Sequence, residues 1–249
     1  MINIDKLKEI LVEYKKDFLS SQWKKEKYKW VALQHFQDHW NVDAPDFASM
    51  FWEATTKQKN LLASSYYYPR GMIREFAKAD MAKVRRMFMD LYDESKPFAP
   101  RIIQFEKESD SLRKKYDDGT WKSHYQNQNS ITTYLWFRYP DKYYIYKYSE
   151  YKSVAEILES DFIPQMGTSE ENLVRSFQLY NEICDYISTD SELVHMFRSA
   201  LTDECYPDKK LKTLTFDIGF YITKNFPRKH EDKVKDNNNL EYTKSSQST

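Results

Sequence analysis

The chain has 249 residues, in which 38 lysines and arginines balance 38 aspartates and glutamates. A formal charge of zero excludes a protein that coats nucleic acid through its overall charge, although a local basic face remains compatible with it. The chain has only four glycines, and they stand far apart, which excludes the glycine-rich phosphate loops of a P-loop NTPase or a standard dinucleotide-binding domain.

The first half of the chain is predicted to be helical. Apolar residues recur at a spacing of three and four from Ile4 to Phe18, which predicts an amphipathic helix over residues 4–19. The same spacing continues in four further stretches, which begin at Trp23, Phe47, Asp80 and Phe98. We therefore expect helices, without strands, up to about residue 120.

The pattern changes after that point. Residues 130–139 and 143–148 are rich in β-branched and aromatic residues and are joined by Pro140, Asp141 and Lys142, which predicts a β-hairpin over about 130–148. Residues 213–222 alternate in the same way and predict a third strand, while helices return between the two regions. The predicted fold class is α+β, predominantly helical with a small antiparallel sheet packed against helices.

The sequence predicts one folded domain followed by a tail. The domain covers residues 1–223 and divides into a helical lobe over 1–120 and a hairpin-containing part over 121–223. Residues 224–249 are rich in Asn, Lys and Ser and hold too few apolar side chains to form a core. We therefore predict that they are a disordered tail or a linker stub.

Cysteine content and hydropathy predict the compartment. Cys184 and Cys205 follow no disulfide or metal-binding pattern, which favours reduced thiols in a cytoplasmic protein. No apolar run approaches the roughly 18 residues of a membrane span, and charged residues interrupt the N-terminal stretch where a signal peptide would be apolar. We expect a cytoplasmic protein with no membrane partner.

The segment with the strongest local signal is residues 121–152, which hold 11 aromatic residues and five lysines and arginines but only two acids. Alternate side chains of a strand share one face, so the predicted hairpin presents rings beside cations. Such a face can stack on bases and hold phosphates. The predicted nucleic-acid-binding residues here are Tyr134, Trp136, Arg138, Lys142, Tyr146 and Lys147. The alternative is that helices cover both faces and the rings belong to the core.

A second aromatic and basic segment spans residues 66–74. Pro69 and Gly71 predict a loop that enters a helix, and the free N–H groups at a helix start attract anions. Arg70 and Arg74 would flank such an anion, and they complete the predicted nucleic-acid-binding set. The alternative is an ordinary helix start with two solvated arginines.

No residue pattern indicates catalysis. His35 and His39 have the i, i+4 spacing that places two imidazoles on one helix face, but a zinc-protease pattern needs a Glu after the first His, where Phe36 stands. The sequence offers no third ligand, and neither a nuclease motif nor a nucleophile motif is present. We therefore predict a protein that is not an enzyme, with no metal and no cofactor; a metal-dependent enzyme based on the two histidines is the remaining alternative.

Six segments together resemble the region that precedes the AAA+ motor in bacterial McrB-like restriction ATPases. They are residues 27–30 (KYKW), 32–40 (ALQHFQDHW), 68–73 (YPRGMI), 84–94 (VRRMFMDLYDE), 134–149 (YLWFRYPDKYYIYKYS) and 201–207 (LTDECYP). The resemblance extends over roughly residues 20–222 and includes no catalytic motif. It implies a part that selects DNA for a modification-dependent restriction system, while separate motor and nuclease subunits carry the catalysis.

The sequence thus predicts a non-catalytic DNA-recognition or adaptor module of an McrB-like anti-phage system. Its expected partners are DNA, including a modified or flipped base, and the AAA+ motor and nuclease subunits of a restriction complex. The alternative is a protein-interaction module that docks a motor or nuclease subunit without touching DNA. Convergence of the predicted cations on one face would favour DNA, and their neutralisation by acids would favour docking.

Overall fold

The computed structural model describes residues 1–167 and 169–227. Within these ranges the chain is built from α-helices: α1 (Ile4–Asp17), α2 (Trp23–Glu26), α3 (Tyr28–His39), α4 (Phe47–Ala54), α5 (Pro69–Ala79), α6 (Met81–Leu91), α7 (Phe98–Tyr116), α8 (Gln128–Arg138), α9 (Tyr148–Ile157), α10 (Glu170–Thr189), α11 (Ser191–Ala200) and α12 (Lys212–Lys224). The extended pairing in this part of the chain is one antiparallel bridge, between Ser64 and Tyr67. The α+β prediction is therefore wrong, and the fold is all-helical.

The first predicted strand of the hairpin is helix α8. Its start is fixed by a capping box, in which the Asn127 side chain accepts the N–H of Ser130 and the Ser130 side chain accepts the N–H of Asn127. The hydroxyls of Thr132 and Thr133 donate back to carbonyl oxygens four residues earlier. All eight residues from 130 to 137 are buried. A helix buried on every side has no polar face, so the helical period disappears from its sequence and β-branched residues suggest a strand instead.

The second predicted strand does not pair with the first. Residues 139–147 are irregular, and the Tyr146 N–H donates to the Thr132 hydroxyl, at 2.8 Å, instead of to a strand backbone. Helix α9 then begins at Tyr148. The segment returns along α8 through side-chain contacts, so no hairpin forms.

The predicted strand over 213–222 is helix α12. The Asp208 carboxylate accepts the N–H groups of Thr213 and Leu214, at 3.2 and 2.8 Å, and so caps the helix start. Gly219 is needed where α12 meets α10, because a Cβ at this position would lie 2.3 Å from the hydroxyl oxygen of Tyr180. Nine residues of α12 are buried, which again removes the polar face that would have revealed a helix.

A single aromatic-rich core extends from Leu7 to Ile222 and includes residues from both predicted parts of the domain. Helix α8 packs against α3 and α7, and α12 packs against α1, α9 and α10. Phe137 of α8 stacks on Phe36 of α3 with ring centroids 4.8 Å apart. Helix α12 continues to Lys224, one residue past the predicted end of the domain, and residues 228–249 of the predicted tail lie outside the described residues.

A wide helical turn connects α1 to α2. Residues Phe18–Gln22 form a π-helix, in which the Trp23 N–H donates to the carbonyl oxygen of Phe18, five residues earlier. Such a turn accommodates one residue more than an α-helical turn. The chain therefore continues in nearly helical form from α1 into α2 and α3, and the Gln22 side chain is buried at the junction.

Candidate functional site

The rings predicted to stack on bases belong to the core. Tyr134, Trp136 and Tyr146 are each at most 1% exposed. Their polar atoms are satisfied inside the protein: the Tyr134 hydroxyl donates to Gln126, the Trp136 indole donates to a threonine hydroxyl at 3.0 Å, and the Tyr146 hydroxyl accepts from Asn172. The predicted exposed face of Trp and Tyr rings is therefore wrong, because there is no sheet surface to carry it.

Arg70 and Arg74 lie together on α5 but do not flank an open anion site. The guanidinium groups of Arg70 and Arg74 lie 3.5 and 4.7 Å from the ring centroid of Trp52. Arg70 is only 9% exposed, and its Nε donates to the Thr55 hydroxyl at 2.8 Å. This arginine therefore attaches α5 to the end of α4.

Lys142 is paired with Glu94. The same carboxylate accepts from Arg101 Nη1 at 2.9 Å and from the Tyr143 hydroxyl at 2.7 Å. Burial would raise the pKa of Glu94, but Lys142, Tyr143 and Arg101 together lower it below its ordinary value. The positive charge of Lys142 is therefore compensated within the protein.

The last two predicted cations lie in different surroundings. The Arg138 guanidinium lies over the Tyr139 ring, 5.1 Å from its centroid. Lys147 donates to Glu150 at 2.6 Å and lines an open pocket. The eight predicted residues therefore do not form one surface, and Lys147 is the predicted residue that leads to the pocket described next.

The pocket has a volume of about 560 Å³ and lies between the start of α3, the turn before α5, the segment leading into α9, and α12. Its lining includes the lysines Lys25, Lys29, Lys59 and Lys147. Aromatic rings from α3 and α12 form its apolar part, namely Tyr28, Phe216 and Phe220. We refer to it as the lysine pocket.

The inner wall of the lysine pocket is a buried ion pair. Lys29 Nζ lies 2.6 Å from Asp217 Oδ1 and 3.0 Å from Glu26 Oε2, and the Lys29 and Asp217 side chains are 2% and 1% exposed. The other carboxylate oxygen of Asp217 accepts from the Tyr14 hydroxyl and from Gln22. Burial alone would lower the pKa of Lys29, but the charges of Asp217 and Glu26 raise it above its ordinary value. Lys29 is therefore charged, and it holds α3 against α12.

The rim of the lysine pocket holds cations of a different kind. Lys25 and Lys59 are exposed, and among the described residues no carboxylate forms a salt bridge with either. Lys59 Nζ lies 4.5 Å from the ring centroid of Tyr28, whose hydroxyl donates to Asn60. Lys59 also has a positive φ of 50°, a conformation that a bulky residue adopts at a cost in energy. These two lysines can therefore receive an anion without breaking an internal ion pair.

Comparison with known proteins finds no similar family or protein. The chain matches no family model, and neither a curated protein nor a solved structure is similar to it. The resemblance to the McrB-like region therefore stays a prediction. Among the described residues, no helix is both long and apolar enough to cross a membrane.

Sequence reasoning missed the lysine pocket, although the sequence contains one signal of it. Lys29 precedes Leu33 by four residues on the apolar stripe of α3, and Asp217 interrupts an otherwise apolar segment. Single opposite charges inside two apolar segments indicate a buried pair, because an unpaired buried charge is very costly. Lys25 and Lys59 carry no such signal, since exposed lysines are common everywhere on protein surfaces.

Proposed function

We propose that this chain is a non-catalytic binding module that takes an anionic, ring-bearing ligand in the lysine pocket. The observation that supports this most directly is that Lys25 and Lys59 line the pocket without an acidic partner among the described residues. The amide side chains of Asn60 and Asn129 add hydrogen-bonding groups, and Tyr28 and Phe220 add ring surfaces. A pocket of about 560 Å³ is within the range of small-ligand sites.

The ligand we propose is a nucleotide of DNA, in a single strand or flipped out of a duplex. Cations near aromatic rings are the combination that holds single-stranded and flipped nucleotides, because the cations contact phosphate while the rings stack on the base. The sequence resemblance to the McrB-like region is the reason to choose DNA among phosphate-bearing ligands. In this proposal the AAA+ motor and nuclease subunits are the partners, and they carry the catalysis.

The test is a titration of a labelled single-stranded oligonucleotide, and of methylated and unmethylated duplexes, at several salt concentrations. Lys25→Ala and Lys59→Ala are expected to weaken binding, and each is expected to lower the salt slope by about one if its lysine neutralises one phosphate. Lys142→Ala is the matched control, since Lys142 is equally a surface lysine but lies at Glu94, outside the pocket. Equal affinities for all three variants and the wild type would contradict the proposal.

A docking function without DNA contact is the second candidate. It is favoured by the ion pairs of Lys142 and Lys147, which neutralise two of the cations predicted to bind DNA. It is also favoured by Tyr66, which is 94% exposed at the tip of the turn closed by Ser64 and Tyr67. The same titration separates the two candidates, because wild-type protein that binds no oligonucleotide at low salt removes the first and leaves the second.

A further inference from the structure

A cluster of three metal-ligating side chains lies on α3 and α4, apart from the lysine pocket. His35 and His39 occupy the last turns of α3, and their rings stack with centroids 4.0 Å apart. Glu53 lies on α4, with a carboxylate oxygen 3.6 Å from His35 Nε2. One ligand atom from each of the three side chains lies within 4.8 Å of the other two.

We propose that His35, His39 and Glu53 bind one divalent transition-metal ion, with Zn²⁺ as the natural candidate. Two imidazole nitrogens and one carboxylate oxygen are a donor set that Zn²⁺ accepts, and three protein ligands leave a coordination position for water. The proposal goes beyond DNA binding and does not depend on the lysine pocket. The spacing of the two histidines is visible in the sequence, and the fold supplies the third ligand that the sequence did not identify.

A hydrogen bond to a carbonyl oxygen prepares the His39 imidazole for this role. His39 Nδ1 lies 2.8 Å from the carbonyl oxygen of His35, which can only accept, so Nε2 of the same ring is left for a metal. Metal-binding histidines are typically held in this way, with the second N–H donated to a backbone carbonyl or a carboxylate. His35 Nε2 is the nitrogen beside the Glu53 carboxylate, and it also lies 2.9 Å from the Glu53 carbonyl oxygen. Binding through His35 Nε2 therefore exchanges that carbonyl contact for the ion.

Two charge effects act on the cluster in opposite directions. The two histidines lie at the C-terminal end of α3, where the carbonyl dipoles favour positive charge. Arg70 and Arg74 of α5 lie against the Trp52 ring, and the Arg70 charge interacts with Glu53, so Glu53 is shared between Arg70 and the ion. The side chain of Glu53 is 60% exposed and can adjust its position to an ion.

The experiment uses the full chain without a histidine tag and follows Co²⁺ by its visible absorption, then competes it with Zn²⁺. Wild-type protein is expected to bind one equivalent. His39→Gln and Glu53→Gln are each expected to weaken binding by about tenfold or more. His195→Gln is the matched control, because His195 is an exposed histidine on α11, outside the cluster, and it should bind as the wild type does.

Three results would overturn the metal site. The first is wild-type protein that binds neither ion at micromolar concentration, and the second is unchanged affinity in both His39→Gln and Glu53→Gln. The third is a sulfur-to-cobalt absorption band, which would assign the binding to a cysteine. A melting-temperature increase with Zn²⁺ in the wild type but not in His39→Gln provides an independent readout, because a ligand that binds the folded state stabilises it. Circular dichroism of each variant shows whether the helices are intact.

Discussion

Two carboxylates of this protein, Asp217 and Glu94, accept hydrogen bonds from three side chains each, yet they lie in opposite surroundings. Asp217 is 1% exposed, at the centre of α12, and Glu94 is 29% exposed, in the connection between α6 and α7. Among the three donors to each carboxylate are a lysine and a tyrosine. The two carboxylates therefore have similar donors and differ mainly in how deeply they are buried.

Burial decides how much each of the two networks contributes to the stability of the fold. Water can replace the Lys142 ammonium at the partly exposed Glu94, and the buried Arg101 also donates to the carbonyl oxygens of Leu91 and Pro97. We therefore expect the ion pairs of Glu94 to contribute less net stability. Water cannot reach Asp217, and removal of one partner there leaves a buried charge without compensation. We therefore expect the Asp217 network to contribute strongly to the unfolding free energy and the Glu94 network to contribute only weakly.

The largest effect is expected for Asp217→Asn. The substitution keeps the shape but removes the nearer of the two charges that compensate Lys29, and we expect a loss of about 3–5 kcal/mol of unfolding free energy, measured by urea denaturation. Lys29→Met combined with Asp217→Asn should lose less than the sum of the two single variants, because the double variant removes both members of the buried pair. A loss below about 1 kcal/mol for Asp217→Asn would show that water enters this site.

Asp208 is a buried carboxylate that forms no salt bridge with any of the described residues, which distinguishes it from Asp217 and Glu94. Asp208 accepts from the N–H groups of Thr213 and Leu214 and from the Trp30 indole. Burial raises the pKa of Asp208 from 3.8 to about 6, and these hydrogen bonds offset part of that effect. Between pH 4 and 6 the Asp208 carboxyl is therefore protonated in the folded protein and ionised in the unfolded chain. The contribution of this proton to the unfolding free energy is fully present below pH 4 and is lost as the pH rises through about 6. The loss is about 3 kcal/mol.

The measurement is the unfolding free energy of wild type and Asp208→Asn from pH 4 to 7. The variant has no carboxyl group to titrate at this position, so its stability relative to the wild type should increase over that range. A constant difference between the two proteins at every pH would mean that Asp208 has an ordinary pKa.

The smallest effect is expected for Glu94→Gln, at about 1 kcal/mol. The glutamine keeps one oxygen acceptor for Tyr143, the buried Arg101 keeps the carbonyl oxygens of Leu91 and Pro97 as acceptors, and solvent compensates Lys142. Because the interaction is partly screened, the difference from the wild type should shrink as salt is added, whereas the loss in Asp217→Asn should not change. Equal losses of unfolding free energy in Glu94→Gln and Asp217→Asn would show that burial does not determine the contribution of these carboxylates.

Sequence patterns predicted the helices that have one polar face. The apolar spacing of α1 and the Asp80 cap of α6 are visible in the sequence, and both are confirmed. Helices α8 and α12 were not predictable in this way, because burial on every side leaves no period to detect. The Asn127 cap was the one local signal that α8 is a helix.

The candidate sites depend on contacts between distant residues. Lys29 and Asp217 are 188 residues apart in sequence, and only the fold brings their side chains together. Glu53 reaches the two histidines because α4 folds back on α3. The aromatic and basic composition of residues 121–152 is unusual, but composition cannot distinguish a stacking surface from a core. Whether these rings are exposed or buried depends on how the helices pack against one another.

The wide turn at Phe18–Gln22 determines how the chain tolerates changes in length. Each residue of an α-helix rotates the following chain by about 100°. Because the wide turn already accommodates one extra residue, deletion of the exposed Leu19 would convert it into an ordinary α-helical turn and would leave the direction of α2 and α3 nearly unchanged. Deletion of one residue within α1 has no such outlet and would rotate α2 and α3, with Lys25 and Lys29, relative to α12. At this place the protein tolerates the loss of one residue, whereas the buried Phe18 and Gln22 restrict the choice of side chains.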